Sequence, residues 1–413
     1  MPSTSVPDWP NAIAHIDADC FFASCELVRR PDLIGSPVCI LSSQDACVIA
    51  KTYDAKAAGI KTGMPVWEAK KLMPHAVYLS ADFRFYGLLS KKMFSILKRY
   101  APDMEIYSID EGFLDLNGTR ELWKKDYKGI AHDIRRSVQR EVGITVSVGV
   151  SVTRILAKMA SEYNKPNGVT IVPHSMITLF LERTELSDIC GIGRNRKATL
   201  NRDGIHTPVD FVNTDVSRVR QLLGKSGTDL WFELHGKSVI GLEMEAQRPK
   251  SIARTASMGE VTSNRSTIIS HLTRHTFRLA TEMVTKKLLT KRITIFLTLK
   301  EFSAVSARTD FDYPTNNYFK LRHAVQHMLA ELYRPDVLYR GCGITAAQIT
   351  RTEETMPDLF GVMLRDSAQA DLLLTIDRIN KRFGNQTVKM AGASAVKQSA
   401  RKVRFMYPMI VAG

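Results

Sequence analysis

The chain has 413 residues, 44% of them hydrophobic and 24% charged, which excludes a fibrous or wholly disordered protein and, at about 150 residues per domain, predicts roughly three domains. Lys and Arg outnumber Asp and Glu by 57 to 42, and this net charge of +15 favours a polyanionic partner such as nucleic acid. No apolar stretch approaches the roughly 18 residues of a spanning helix, and neither a signal peptide nor a C-x-x-C pair is evident, so we expect a cytoplasmic protein with reduced cysteines and no membrane partner.

The first 174 residues mix the two-residue period of strands with the longer period of helices. The predicted elements are a strand at 12–16, a helix at 22–28, strands at 38–41 and 47–50, a helix at 53–58, a helix at 83–100, a hairpin around 106–116, a helix at 129–142, a strand at 144–151 and a helix at 154–163. This order predicts an α+β unit with a mostly antiparallel sheet and helices on one face.

The chain beyond residue 174 contains a candidate linker. Residues 175–243 show only helical patterns, and residues 244–251 are polar and interrupted by a proline. A second α+β unit follows, and its predicted elements are helices at 267–289 and 318–332, strands at 293–299 and 340–349, and a last helix at 371–382 before a basic tail. Between residues 248 and 350 there are 16 Lys and Arg against 7 Asp and Glu, a net charge of +9, which suits a clamp on a nucleic-acid backbone.

Three carboxylates stand at the ends of predicted strands. Asp17 ends the first strand, and Asp110 and Glu111 follow Ser108 at the bend of the hairpin, where acids weaken strand pairing unless they have a role there. Carboxylates are ligands for Mg²⁺ beside a phosphate, and two such ions stabilise the attacking and leaving oxygens of a phosphoryl displacement. The alternative is that each acid is an ordinary solvated turn residue or strand end.

A glycine-containing turn joins two predicted helices. Gly191 and Gly193 are followed at once by the cationic residues Arg194 and Lys197. Glycines let a backbone approach a phosphate, and the amides at the start of the next helix can bind it. A plain glycine cap between helices explains the two glycines equally well, but the cations favour the phosphate interpretation.

These motifs together resemble the Y-family DNA polymerases, the translesion enzymes, and most closely their UmuC-type members, the catalytic subunits of bacterial DNA polymerase V. The resemblance is carried by the segments Asp17 to Glu26, Val48 to Lys56, Tyr107 to Phe113 and Asn164 to Gly168. It extends more loosely to about residue 390. Each segment alone is weak, but their combination is highly specific.

The resemblance implies an α+β multidomain fold shaped like a right hand. Its expected parts are an antiparallel-sheet palm at 12–20 and 83–174, small fingers at 21–82, an all-helical thumb with a helix-hairpin-helix at 175–243, a linker at 244–251, a separate α+β little finger at 252–350, and a C-terminal accessory region with a basic tail at 351–413. The implied activity is template-directed, low-fidelity DNA synthesis in DNA damage tolerance and SOS mutagenesis.

The resemblance also assigns residues. Asp17, Asp110 and Glu111 are the implied catalytic residues and, with the Ala18 carbonyl, hold two Mg²⁺ ions, whereas Asp19 is expected to cap the following helix instead. The implied nucleotide contacts are Phe21, Phe22, Tyr53, Lys56 and Lys165, and the DNA contacts are Gly191, Gly193, Arg194, Lys197 and Arg254.

Two of the nucleotide contacts have a more specific expectation. Phe22 matches the bulky steric gate of the family, whose ring occupies the space that a ribose 2′-hydroxyl would need. The alternative is a core aromatic beside Phe21. The gate is favoured because only one of two adjacent aromatic side chains can face the core. Lys56 stands where the family more often has Arg. The ammonium group of Lys binds phosphate as a point charge, whereas the guanidinium group of Arg can bind it in a bidentate manner.

The implied partners are primer-template DNA, a deoxynucleoside triphosphate, a sliding clamp, a UmuD′-like accessory subunit and a recombinase filament, at the nucleoid of a bacterial cytoplasm. The clamp segment, residues 355–360, stands where UmuC-type relatives carry a sliding-clamp motif that begins with Gln. Here that Gln is missing, so docking of Leu359-Phe360 on the protein's own surface is an equal alternative. Other functions are a metal-dependent nuclease, which has no need of Phe22 or the triphosphate contacts, and a non-catalytic scaffold, which is expected to have lost an acid.

Overall fold

The computed structural model of the protein describes residues 8–42, 46–244, 248–355, 362–384 and 387–393, with only the backbone for 362–368. The chain divides into two units, Met1–Ala246 and Gln247–Gly413. This boundary falls inside the predicted linker at 244–251. None of the described helices combines the length and the hydrophobicity needed to cross a membrane.

The first unit contains eleven helices and eight strands within its described residues. The strands are β1 (Ile13–Ala18), β2 (Val38–Leu41), β3 (Val48–Lys51), β4 (Val77–Ser80), β5 (Met104–Ile106), β6 (Glu111–Asp115), β7 (Val146–Ser151) and β8 (Val169–Val172). The helices are α1 (Phe21–Arg29), α2 (Tyr53–Ala57), α3 (Val66–Leu72), α4 (Phe83–Leu97), α5 (Thr119–Trp123), α6 (Tyr127–Val142), α7 (Arg154–Tyr163), α8 (Ile177–Glu182), α9 (Arg194–Arg202), α10 (Pro208–Asn213) and α11 (Val216–Leu234). The predicted elements are present, and the structure adds the short elements α3, α5, β4 and β8.

The larger sheet has the strand order β5-β6-β1-β7-β8 and is antiparallel except between β7 and β8, which confirms a mostly antiparallel sheet. Helices cover both of its faces, so the expectation of one helical face was wrong. Ala14 and Ile16 of β1 pack into the core with α4 and α6, whereas His15 between them bonds to Ser161 of α7. Both faces of β1 are buried, so its sequence is mostly apolar and does not alternate between apolar and polar residues. Without such alternation the sequence could not show that helices cover both faces of the sheet.

Residues 38–80 contain a smaller sheet with the order β3-β2-β4, which has its own small core. Helices α8 to α11 follow, so the expected all-helical character of residues 175–243 is confirmed. All six cysteines lie in described residues, and none of them forms a disulfide.

The second unit is built on a four-stranded antiparallel sheet in the order β11-β10-β12-β9. Its elements are β9 (Ser251–Thr262), α12 (Arg265–Thr285), β10 (Leu288–Leu299), β11 (Ala304–Thr315), α13 (Tyr318–Leu332), β12 (Tyr339–Arg351) and α14 (Val362–Phe383). The sequence prediction found the central strands β10 and β12 but missed β9 and β11. Those two are edge strands with many exposed polar residues, so they lack the apolar alternation of a half-buried strand.

Candidate active site

Asp17 and Glu111 lie directly opposite each other in the antiparallel pairing of β1 and β6. The next residue of β1, Ala18, donates its backbone N–H to the carbonyl oxygen of Asp110 at 2.9 Å. The adjoining ends of β1 and β6 therefore place the Asp17 and Glu111 side chains together and the Asp110 backbone beside them. The side chains of Asp17 and Glu111 are 14% and 17% exposed, so they border solvent without being freely hydrated.

Ser108 fixes the bend that carries the other two acids. Its hydroxyl oxygen accepts hydrogen bonds from the backbone N–H groups of Asp110 and Glu111, both at 3.2 Å. The same hydroxyl donates to Asp110 Oδ1 at 2.6 Å. Residues 108–111 thus form a turn that is closed by side-chain-to-backbone hydrogen bonds, and Glu111 begins β6 directly after it.

Two lysines of or near α7 neutralise the facing acids. Lys158 pairs with Glu111 Oε2, and Lys165 Nζ lies 2.7 Å from Asp17 Oδ1 and 2.6 Å from Glu162 Oε1. Burial raises the pKa of Asp17 to about 7, although Lys165 opposes this shift. For Glu111, burial also raises the pKa, but the bonds from His15 and Lys158 outweigh it and lower the pKa to about 2. The Asp17 charge is therefore the less well compensated of the two.

His15 is a site residue that the sequence prediction missed. It is 0% exposed, its Nε2 lies 3.1 Å from Glu111 Oε2, and its Nδ1 lies 2.7 Å from Ser161 Oγ. Burial lowers the pKa of His15 to about 4, so the ring is neutral at pH 7. Its position two residues before Asp17 was the available signal, because side chains two apart on a strand share a face.

A group of three side chains could hold a metal ion, namely His15, Asp17 and Glu111, whose ligand atoms all lie within 4.8 Å of one another. Asp110 is not in this group, although its backbone pairs with Ala18. Carboxylate and carbonyl oxygens are the ligand atoms that Mg²⁺ prefers. The two carboxylates already form ion pairs with positive groups, Glu111 with Lys158 and Asp17 with Lys165. The donor set therefore fits a divalent cation.

The expectation that Asp19 caps α1 was wrong. Helix α1 begins after Cys20 with no side-chain cap, and Cys20 has a left-handed backbone with φ of 47°. Asp19 is instead buried, where Oδ1 accepts from the Ser147 hydroxyl and Oδ2 from the Asn167 backbone N–H, both at 2.8 Å. A buried carboxylate needs such donors, and here they tie the loop that carries Lys165 to the sheet.

Two more of the predicted nucleotide contacts lie on α2. The Lys56 ammonium is exposed and lies 5.8 Å from the centre of the Tyr53 ring. Burial raises the pKa of Tyr53, and the carboxylate of Asp19 raises it further, so its hydroxyl keeps its proton at pH 7 and can donate a hydrogen bond.

The aromatic pair at the start of α1 divides as expected between core and surface. Phe21 is buried in the core, whereas Phe22 is only partly buried. The Phe22 ring stacks on Tyr86 with centroids 4.8 Å apart and meets Phe83 edge-on at 5.6 Å. Phe22 is therefore held in place by two rings while part of it stays accessible.

The predicted DNA contacts of the first unit surround the start of α9. Gly191 has φ of +99°, which requires glycine, and Gly193 is the N-cap residue of α9. The Arg196 guanidinium donates to the Gly191 carbonyl at 3.0 Å, and Lys197 Nζ lies 3.8 Å from Glu185. Arg194 is exposed, so the loop presents a cation and helix-start amides to solvent.

Arg254, the predicted DNA contact of the second unit, lies on β9. Its guanidinium pairs with Glu282 of α12, and its Nε is buried without a hydrogen-bond partner among the described residues. One of its nitrogens is therefore already committed to a carboxylate within its own unit.

Comparison with known families covers most of both units. Residues 16–162 match the profile of the impB/mucB/samB family, and residues 249–359 match that of the same family's C-terminal domain. DNA polymerase IV from Exiguobacterium sibiricum is 32% identical over 302 residues, covering 72% of this chain and 83% of that protein. The UmuC protein of Salmonella typhimurium is 28% identical over 406 residues, covering 95% and 96%.

Solved structures share the fold. A Y-family polymerase chimera of Dbh and Dpo4 has a TM-score of 0.69 at 24% identity and covers 82% of this chain and 99% of its own. DinB from Sulfolobus solfataricus has a TM-score of 0.55 at 23% identity, with 81% and 98% covered. A further relative in sequence, DNA polymerase IV from Picrophilus torridus, is 34% identical over 264 residues, and the match covers 62% of this chain and 75% of that protein. The chain therefore belongs to the Y-family of translesion DNA polymerases and is a DNA-directed DNA polymerase.

Proposed function

We propose that this chain extends a primer 3′-hydroxyl with deoxynucleotides across damaged template bases, at low fidelity, in the damage tolerance that accompanies the SOS response. The observation that supports this most directly is the pairing of Asp17 with Glu111 beside the Asp110 backbone, with Lys165 bonded to Asp17. A phosphoryl-transfer site needs carboxylates and phosphate-binding cations at one place, and this sheet edge supplies both.

The parts of the hand follow from the two units. We assign the five-stranded sheet with its helices to the palm, the three-stranded sheet and its helices to the fingers, α8 to α11 to the thumb, and the four-stranded sheet of the second unit to the little finger. The acids then belong to the palm, and the net charge of +9 belongs to the little finger.

Asp17, Asp110 and Glu111, with the Ala18 carbonyl, would hold two Mg²⁺ ions, which supply Lewis-acid stabilisation of the attacking and leaving oxygens. Lys165 and Lys56 neutralise the triphosphate, and the Tyr53 hydroxyl donates a hydrogen bond to it. Phe22 fills the space that a ribose 2′-hydroxyl would need.

Partners follow the same division. The glycine turn with Arg194 and Lys197 binds backbone phosphates of primer-template DNA, and Arg254 with its unit adds a second contact. We further propose that the protein is associated with the nucleoid in the bacterial cytoplasm, where its partners are a UmuD′-like subunit, a recombinase filament and a sliding clamp. Leu359-Phe360, the clamp segment, lies outside the described residues, and a clamp pull-down with Leu359→Ala and Phe360→Ala tests it.

Primer extension on an undamaged and an abasic template tests the proposed activity. The full chain extends the primer on both templates, and Asp110→Ala reduces extension to background. Asp115→Ala is the matched control, since Asp115 is an acid at the other end of β6, and this variant keeps its activity. Extension that survives Asp110→Ala contradicts the assignment, and a shortened primer favours the nuclease.

A further inference from the structure

We propose that His15 is a positioning residue that holds the Glu111 carboxylate in place for divalent-cation binding. This proposal rests on the proposed function of the same site. It adds to the three acids a buried imidazole that touches neither substrate nor metal and acts through Glu111.

The surroundings of His15 leave its ring one orientation. The residue lies on β1 with no exposed surface, opposite Gly149 of β7, and its ring is tilted against Phe113 with centroids 4.5 Å apart. Its two nitrogens lie 2.7 Å from Ser161 Oγ and 3.1 Å from Glu111 Oε2. A ring enclosed in this way cannot turn aside when the carboxylate is pulled by a cation.

The hydrogen-bond partners determine the tautomer. An ionised carboxylate only accepts, so Nε2 carries a proton and donates it to Glu111. Nδ1 faces the Ser161 hydroxyl at 2.7 Å, and the single proton of that hydroxyl points either to Nδ1 or to the Lys158 carbonyl, 2.8 Å away. Nε2 has no free lone pair in this tautomer, so His15 orients a ligand and does not serve as one, even though it belongs to the group of three potential ligand residues.

Glu111 Oε2 has two partners of very different character. Lys158 reaches it from α7 on a long, partly exposed side chain that can withdraw when a divalent cation takes its place. His15 stays bonded throughout. Groups of this kind around metal ligands usually change metal affinity by 10–100-fold when they are replaced.

The test compares His15→Gln and Ser161→Ala with Ser151→Ala in the full chain. Ser151 is a matched control, since it is as buried as Ser161 but its hydroxyl donates to the Val172 carbonyl, away from Glu111. Mn²⁺ affinity is measured by titration of the free ion, and Mg²⁺ affinity by competition. We expect about 10–100-fold weaker binding of both ions in His15→Gln, a smaller loss in Ser161→Ala and none in Ser151→Ala.

Each outcome is decisive. Folded variants with wild-type ion affinity overturn the proposal, and so does a loss confined to Mn²⁺, which would show that the imidazole is itself a ligand. If His15→Gln does not fold, Ser161→Ala against Ser151→Ala decides. Ion binding is measured without DNA synthesis, so an inactive wild type counts against the proposed function and not against the role of His15.

Discussion

Asp17 and Glu111 are register partners on β1 and β6, two acids held side by side by backbone hydrogen bonds. Like charges directly opposite each other on an antiparallel pair destabilise a sheet. The chain tolerates them because each acid has its own lysine, Lys165 for Asp17 and Lys158 for Glu111. The sheet therefore holds the two carboxylates side by side before any ligand binds.

Gly149 controls how closely α7 approaches this sheet. A Cβ at Gly149 would lie 2.2 Å from both the Ala157 carbonyl oxygen and the Ser161 backbone nitrogen. We expect Gly149→Ala to lower the free energy of unfolding by about 1–3 kcal/mol and to reduce primer extension, since α7 carries Lys158 and Ser161.

Denaturant unfolding and primer extension measure the two effects of this substitution. The control is Gly87→Ala in the middle of α4, where a Cβ meets nothing within 4 Å. That change should leave activity intact and add about 0.5–1 kcal/mol of stability. Wild-type stability in Gly149→Ala would show that the helix packs more loosely than the structure indicates.

Asp19 should matter for the loop that carries Lys165 but not for metal binding. Asp19→Ala leaves the Ser147 hydroxyl and the Asn167 N–H without their acceptor, which costs about 1–3 kcal/mol of stability. We also expect a higher KM for the incoming nucleotide with unchanged Mn²⁺ affinity, both measured on the purified chain. A loss of Mn²⁺ affinity would mean that Asp19 is a ligand.

Phe22 is expected to select the sugar of the nucleotide. Phe22→Ala should raise ribonucleotide relative to deoxyribonucleotide incorporation by about 10-fold or more, because one steric contact is worth of the order of 1–3 kcal/mol. Single-nucleotide incorporation with each sugar measures the ratio. Phe383→Leu replaces an exposed phenylalanine of the second unit, whereas Phe22 belongs to the first, and it should retain the wild-type ratio. An unchanged ratio in Phe22→Ala removes the gate role.

The second unit should lose stability in acid because of two buried histidines on α12. His275 is 1% exposed, and both of its ring nitrogens lack a hydrogen-bond partner among the described residues. Burial, followed by repulsion from Arg274, lowers the pKa of His275 to about 3 and that of His271 to about 4, and for His275 the nearby Arg278 and Arg254 add to the repulsion. Both rings are therefore neutral in the folded protein at pH 7.

The sign of this pH dependence follows from proton binding. Below about pH 6.5, which is the pKa of a histidine in the unfolded chain, the two histidines are protonated in the unfolded chain but stay neutral in the folded chain. The free energy of unfolding therefore falls as the pH falls towards 4, by up to about 1.4 kcal/mol per pH unit for each histidine. Denaturant unfolding at pH 8, 6.5 and 5 measures the slope. His275→Leu should flatten it and the exposed His323→Gln should not, whereas equal slopes in all three proteins would contradict the prediction.

The sequence could select Asp17, Asp110 and Glu111 as candidates because they stand at strand ends within specific motifs, and their role in catalysis stays a prediction. It could not identify Lys158 or Glu162, because their contacts depend on how α7 packs over β1, a long-range contact with no local pattern. For His15, the position two residues before Asp17 was a usable signal, but its bond to Ser161 of α7 was not. The capping role assigned to Asp19 was wrong for a similar reason. An acid before a helix is a good local cap, but here donors from β7 and a distant loop bind the side chain instead.

The proposed reaction site and most of the net positive charge lie on separate stretches of the sequence. The acids and their lysines lie between residues 15 and 165, whereas residues 248–350 of the other unit carry a net charge of +9. Attraction between Lys or Arg and a polyanion weakens as salt rises, while the buried contacts of the sheet edge do not depend on it to the same degree. If the second unit binds DNA as proposed, we expect changes there to alter how many nucleotides are added in one encounter with a template and to leave the rate of each addition unchanged.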